Sequence, residues 1–222
     1  MALSGRVLAA AGMADFTWGH VSARDPDGRG LWIKRAGLGL EEVRFEDVQL
    51  VDWNGQRIDG SGPVHREVKI HTRILAAKPE LGSVVHCHPE HAVAFAATGR
   101  ELNLFSHTAG PLALGVARYD HARGLVDTDQ VASAVADALG ERKALLLSGH
   151  GVIAVGRTVA LAATTAIFLE KACRLQALAD RMGGVPEESW SSPAVDYAHT
   201  LEDAHLELAW AYLVRRTRAR GP

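Results

Sequence analysis

The chain has 222 residues, with 24 Lys and Arg against 26 Asp and Glu, 47% hydrophobic residues and two cysteines, which is enough for one domain with a substantial core. A net charge of −2 gives no basic field that would gather nucleic acid or an anionic membrane, and no apolar run approaches the ~20 residues of a membrane helix. The opening stretch has no signal-peptide layout, and Cys87 and Cys173 suggest no disulfide framework, so a cytoplasmic protein is expected. In chain order, Leu3 to Ala14 predicts a short helix ending near Gly12, followed by three or four antiparallel strands over HVSAR (20–24), GLWIK (30–34) and VQLVD (48–52), separated by Asp/Gly turns. The spacing of Val68, Ile70, Ile74 and Leu75 predicts a helix over His65 to Ala77. SVVHCH (83–88) reads as a buried strand, and 89–99 as a helix opened by Pro and closed by Gly. Residues 102–113 are irregular or strand-like, Asp127 to Leu139 is helical, and 144–156 is two strand segments broken at Ser-Gly-His-Gly. Helices over Thr158 to Met182 and from about Pro193 or Tyr197 to Arg216 complete a single α/β sandwich, residues 1–222, with mainly antiparallel strands.

Eleven histidines are the compositional oddity, and their spacing suggests a use. His86 and His88 lie two apart on a predicted strand, so both project from one face and can converge on an ion. His150, flanked by Gly149 and Gly151 between two apolar segments, is the best third ligand, although His91 could take that place in an H-x-H-x-x-H reading. Three imidazoles leave a coordination position open, as catalytic metal sites do. The same histidines could equally be hydrogen-bonded core or surface residues. Cys87 should face the opposite side as a small buried hydrophobe. Glu67, just after a glycine-rich turn, is the candidate proton carrier, with a helix-capping carboxylate as its plainer alternative.

The succession TWGHVSAR (17–24), WIKRAGLG (32–39), Glu67 and His71, KPELGSVVHCHP (78–89) and SGHGV (148–152) resembles the class II aldolase/adducin family. The resemblance implies a three-layer α/β/α sandwich around a mostly antiparallel sheet, and a homotetramer with active sites at subunit interfaces. It also implies a divalent metal, zinc foremost with manganese or another ion as alternatives. Matching by position, His86, His88 and His150 stand as the metal ligands and Glu67 as the catalytic acid/base; adducin-type members lack these four. Sugar-phosphate aldolases of the family bind phosphate with small hydroxyl and amide side chains, where this chain has Gly19-His20, Ala36-Gly37 and His65-Arg66. The substrate pocket is therefore expected at His20, Lys34, Gly37, His65 and Arg66, with Arg66 able to fork onto a planar carboxylate or simply to sit on the surface. The family resemblance then implies a decarboxylase of a hydroxylated aromatic dicarboxylate of the dihydroxyphthalate type. Sugar-phosphate aldolase or epimerase, and a non-catalytic adducin-like module, are the alternatives. Tyr119 matches a tyrosine that reaches a neighbouring subunit's site, or is an ordinary strand aromatic. His107 and His121 are weaker candidates of the same kind, Trp210 and Tyr212 could cover an adjacent site or simply pack, and His71 has no assigned role.

Overall fold

The computed structural model describes residues 1–121, 124–186 and 203–219. The three N-terminal segments read from the sequence form β1 (His20–Arg24), β2 (Leu31–Lys34) and β3 (Val48–Val51), and a further strand, β4 (Arg57–Asp59), follows them. They are followed by β5 (Ser83–Cys87), β6 (Ala117–Tyr119), β7 (Ala144–Leu147) and β8 (Gly151–Gly156). All join one sheet in the order β4-β3-β2-β1-β5-β8-β7-β6, antiparallel throughout except for the parallel β6/β7 pair at one edge. The helices are α1 (Ala2–Ala10), α2 (Val68–Ala77), α3 (Glu90–Ala97), α4 (Asp129–Leu139), α5 (Val159–Arg181) and α6 (Asp203–Ala219).

Strand alternation divides the core in two. Val85, Cys87, Val152 and Ala154 face one side, where they pack with Leu8 of α1, Phe95 of α3 and Leu169 of α5. Val84, Ile153 and Val155 face the other, against Ile70 and Ile74 of α2 and Val135 of α4. This is the expected α/β/α sandwich, and Cys87 does turn away from the side taken by His86. Burial raises its thiol, which stays a protonated packing group.

Several boundaries differ from expectation, and one matters for chemistry. The helix predicted from His65 starts at Val68, because Arg66 and Glu67 form a turn in which Val68 N–H reaches the His65 carbonyl. Glu67 occupies the N-cap position but makes no side-chain cap bond, so its carboxylate is free to turn inward. The segment 102–113 contains a 3-10 helix over His107–Leu112 instead of a strand. Helix α4 begins at Asp129, where the Thr128 hydroxyl accepts from Val131 N–H, and α5 begins after an equivalent Thr158 cap. The predicted start of the last helix near Pro193 or Tyr197 lies outside the described residues.

Candidate metal centre

His86 is the fourth residue of β5 and His88 follows the strand's end, immediately before Pro89 caps α3. His150 lies in the tight turn joining β7 to β8, where Gly149 takes φ +66. Gly151 is required by close approach: a Cβ there would fall 2.5 Å from His88 Cδ2 and 2.7 Å from the Cys87 carbonyl. Ligand atoms of His86, His88 and His150 all lie within 4.8 Å of one another. The H-x-H pair and the glycine-flanked histidine therefore meet as expected. His91 does not join them, because its Nδ1 lies 2.7 Å from Glu170 on α5.

The hydrogen bonds of this cluster fit a cation. His86 Nδ1 lies 3.0 Å from the Val152 carbonyl, an acceptor, so Nδ1 carries the proton and Nε2 presents a lone pair. His88 Nδ1 lies 3.1 Å from an Asp15 carboxylate oxygen and fixes His88 in the same tautomer. The two Nε2 atoms are 3.1 Å apart. Two lone pairs facing each other at that distance repel unless a proton or a metal ion lies between them. Burial, and then the neighbouring His86 and His150, push the His88 imidazolium down to about 3, which leaves an ion as the natural partner at neutral pH.

Glu67 is 7% exposed and lies across the same cluster, with its oxygens 3.5 Å from His86 Nε2 and 3.4 Å from His150 Nε2. One oxygen also accepts from the Val126 amide at 2.9 Å. Burial alone would raise this carboxyl, but the adjoining His150 and His86 rings and the hydrogen bond from the Val126 amide outweigh it and hold Glu67 below the usual carboxylate range, ionised. The capping-box alternative is thereby excluded, since the carboxylate serves the cluster and not its own helix.

A cavity of about 1010 Å³ opens above these residues, lined among others by Asp15, Trp18, His20, Gly37, His65, Arg66, Glu67, His88, Leu125 and His150. His20 is the strand partner of His86 across β1/β5, so their rings are neighbours with centroids 5.1 Å apart. Four of the five expected pocket residues thus line the cavity. Lys34 lies behind its wall, donating to the carbonyls of Thr17 and Leu38 and so joining two cavity-lining loops. Burial lowers its ammonium to about 8. The Arg66 guanidinium reaches Asp127 at 2.7 Å and its side chain is 74% exposed, so it lies at the cavity mouth with a competing partner. Tyr119 is not brought into its own chain's cavity; its ring meets His121 instead. His107 and His121 also lie outside the lining, while Trp210 packs on the core and Tyr212 is exposed.

Three participants were missed in the sequence. Asp15 holds His88, and His71 and Ser22 back His20 through hydrogen bonds. For the last two a signal existed: Ser22 is two residues from His20 on one strand face, and His71 is four from Glu67, one helical turn on.

Residues 1–177 match the family model described as "Class II Aldolase and Adducin N-terminal domain". The 3,4-dihydroxyphthalate decarboxylase of Arthrobacter keyseri is 28% identical, the alignment covering 99% of this chain and 93% of the relative. The enzyme of the same name from Terrabacter sp. (strain DBF63) is 33% identical over 87% of this chain and 84% of its own. Among solved structures, L-fuculose 1-phosphate aldolase from Glaciozyma antarctica PI12 superposes with a TM-score of 0.84 at 26% identity, covering 98% of this chain and 86% of that one. The chain belongs to the class II aldolase/adducin family, whose members include metal-dependent lyases and epimerases.

Proposed function

We propose that the protein is a divalent-metal-dependent carbon–carbon lyase that removes carbon dioxide from a hydroxylated aromatic dicarboxylate of the dihydroxyphthalate type. The observation that carries this reading is the cavity itself. A three-histidine cluster with an ionised Glu67 sits at its base, and bulky His20, His65 and Arg66 line it at positions where, by the family resemblance, sugar-phosphate aldolases keep small phosphate-binding groups. Relatives bearing the decarboxylase name cover nearly the whole chain, which supports the same choice.

His86, His88 and His150 would hold the ion, zinc by preference, and a divalent ion there supplies Lewis acidity to a substrate oxygen. Glu67 takes the proton of a ring hydroxyl and returns it to the ring carbon as the bond to the carboxylate breaks. The electron pair stays on the ring, carbon dioxide departs, and solvent restores the hydroxyl proton. His20 and His65 orient the ring, Gly37 leaves room beside it, and Arg66 exchanges Asp127 for a substrate carboxylate through two parallel hydrogen bonds. Lys34 contributes by fixing the Thr17 and Leu38 loops. In the same reading the protein is a homotetramer with sites between subunits, and Tyr119, which does not line its own cavity, serves a neighbour's.

The test is carbon dioxide release from 3,4-dihydroxyphthalate by the zinc-loaded protein, with light scattering for the oligomer. Cleavage of fuculose 1-phosphate without decarboxylation would replace this reading with the aldolase one, which the 0.84 TM-score keeps in play. Under that outcome His20→Asn with Arg66→Ser improves activity; under the decarboxylase reading the pair impairs it.

A further inference from the structure

Behind the cavity wall, a line of buried polar groups runs from His20 into the core. His20 Nδ1 lies 2.6 Å from His71 Nε2, and His71 Nδ1 lies 2.6 Å from Ser22 Oγ. Ser22 and His71 are fully buried and His20 is 2% exposed. One proton belongs in each gap, so the three groups must all point the same way along the line, and only two orders are possible.

Ser22 decides between them. Among the described residues His71 Nδ1 is the only hydrogen-bond partner of its hydroxyl, while the Ser22 carbonyl already accepts from Ser83 Oγ at 2.6 Å. If Ser22 accepted from His71, its own O–H would be buried with no acceptor, a costly loss. If it donates, only hydroxyl lone pairs go unused, which proteins tolerate far more readily. The proton order therefore runs outward from Ser22. The same geometry excludes a charged ring: an imidazolium at His20 or at His71 would make His71 Nδ1 the donor to Ser22 and leave the Ser22 O–H without an acceptor.

We infer that Ser22 and His71 are positioning residues that lock His20 into its Nε2–H tautomer, so that His20 meets the ligand as a neutral hydrogen-bond donor. This rests on the reading that the cavity binds substrate. His65, with its ring 4.5 Å from that of His20, is the complement: the Arg35 backbone accepts from its ring, and among the described residues its Nε2 is buried without a partner, presenting a lone pair. One fixed donor beside one fixed acceptor suits a group that both accepts and donates, such as a ring hydroxyl. A fully ionised phosphate has no proton to give His65.

The experiment is long-range proton–nitrogen NMR on zinc-loaded, full-length protein with nitrogen-15 histidine. Expected are a pyrrole-like Nε2 and a pyridine-like Nδ1 for both His20 and His71. The reverse tautomer at His20, or an average of the two, overturns the inference, and the wild-type spectrum alone suffices for this. In Ser22→Ala, His20 should shift toward the Nδ1–H form with zinc stoichiometry unchanged; an unmoved His20 also overturns it. The recognition arm uses two probes. 4-Hydroxybenzoate should bind about tenfold more tightly than 4-methoxybenzoate, the worth of one hydrogen bond, and His65→Phe should abolish the difference. Equal binding, or a preference that survives His65→Phe, overturns the donor–acceptor assignment. Absence of carbon dioxide release would sink the proposed reaction while leaving the tautomers readable, so the two failures are distinct.

Discussion

At the base of the cavity, His86 and His88 each commit Nδ1 as a donor to a fixed oxygen, of Val152 and of Asp15, and turn an Nε2 lone pair inward. At the recognition side, His20 uses Nδ1 to meet another imidazole, and the line continues to a serine hydroxyl. The same side chain therefore presents a lone pair, as a metal ligand would, in one region and a hydrogen-bond donor in the other. What differs is the partner of the hidden nitrogen: an oxygen acceptor pushes the lone pair into the cavity, whereas a donor from the core pushes a proton there. Histidine chemistry in this protein is set from behind the visible site.

The comparison can be broken most severely at the base. His86→Ala should reduce bound metal to background by elemental analysis and abolish turnover with it; retained stoichiometric metal would show that the cluster is not the site. Glu67→Gln should keep the metal yet lower kcat by roughly 10²–10⁴, the usual worth of a positioned acid/base. Asp15→Ala should weaken metal affinity about 10–100-fold, measured by competition with a chelator, because it releases only the outer partner of His88.

Acid tests both regions together. Burial, and then Lys34, lower His65 to about 3; His88 is lowered to a similar value, and His20 and His71 are lowered as well. Unfolded histidines titrate near ~6.5. The folded state thus binds fewer protons between those values, so its stability is complete above about pH 6.5 and declines as the pH falls toward about 3. Urea midpoints of the metal-free protein between pH 7.5 and 4.5 should fall steadily, and a flat profile would contradict neutral buried rings. The smallest effect is expected at the cavity mouth. Arg66→Ser removes a largely exposed ion pair and should cost under ~1 kcal/mol of stability, while raising KM for the carboxylate substrate.

The strand-and-helix order was legible because alternation in segments such as SVVHCH and helical spacing in Val68 to Leu75 report which face is buried. The missed strand Arg57–Asp59 is exposed at all three positions, so it carries no alternation to read. The metal half of the site was legible for a related reason: His86 and His88 share a strand face by period two, and glycines on both sides of His150 mark a turn. Arg66 was balanced between substrate and surface, and its contact with Asp127 at the cavity mouth leaves it available to either role. The amide of Val126 on Glu67 and the Asp15 carboxylate on His88 join positions 59 and 73 residues apart, separations at which local periodicity carries no signal.

By itself the sequence determined the sandwich, the converging histidines and the family, because these follow from local period, turn chemistry and ordered motifs. The tertiary structure alone decided that Glu67 faces the cluster, that His91 belongs to Glu170, that Lys34 braces loops from behind the wall, and which nitrogen each cavity histidine presents. Those outcomes depend on which donor or acceptor the fold sets against each hidden atom. In a buried site that partner fixes both proton position and charge.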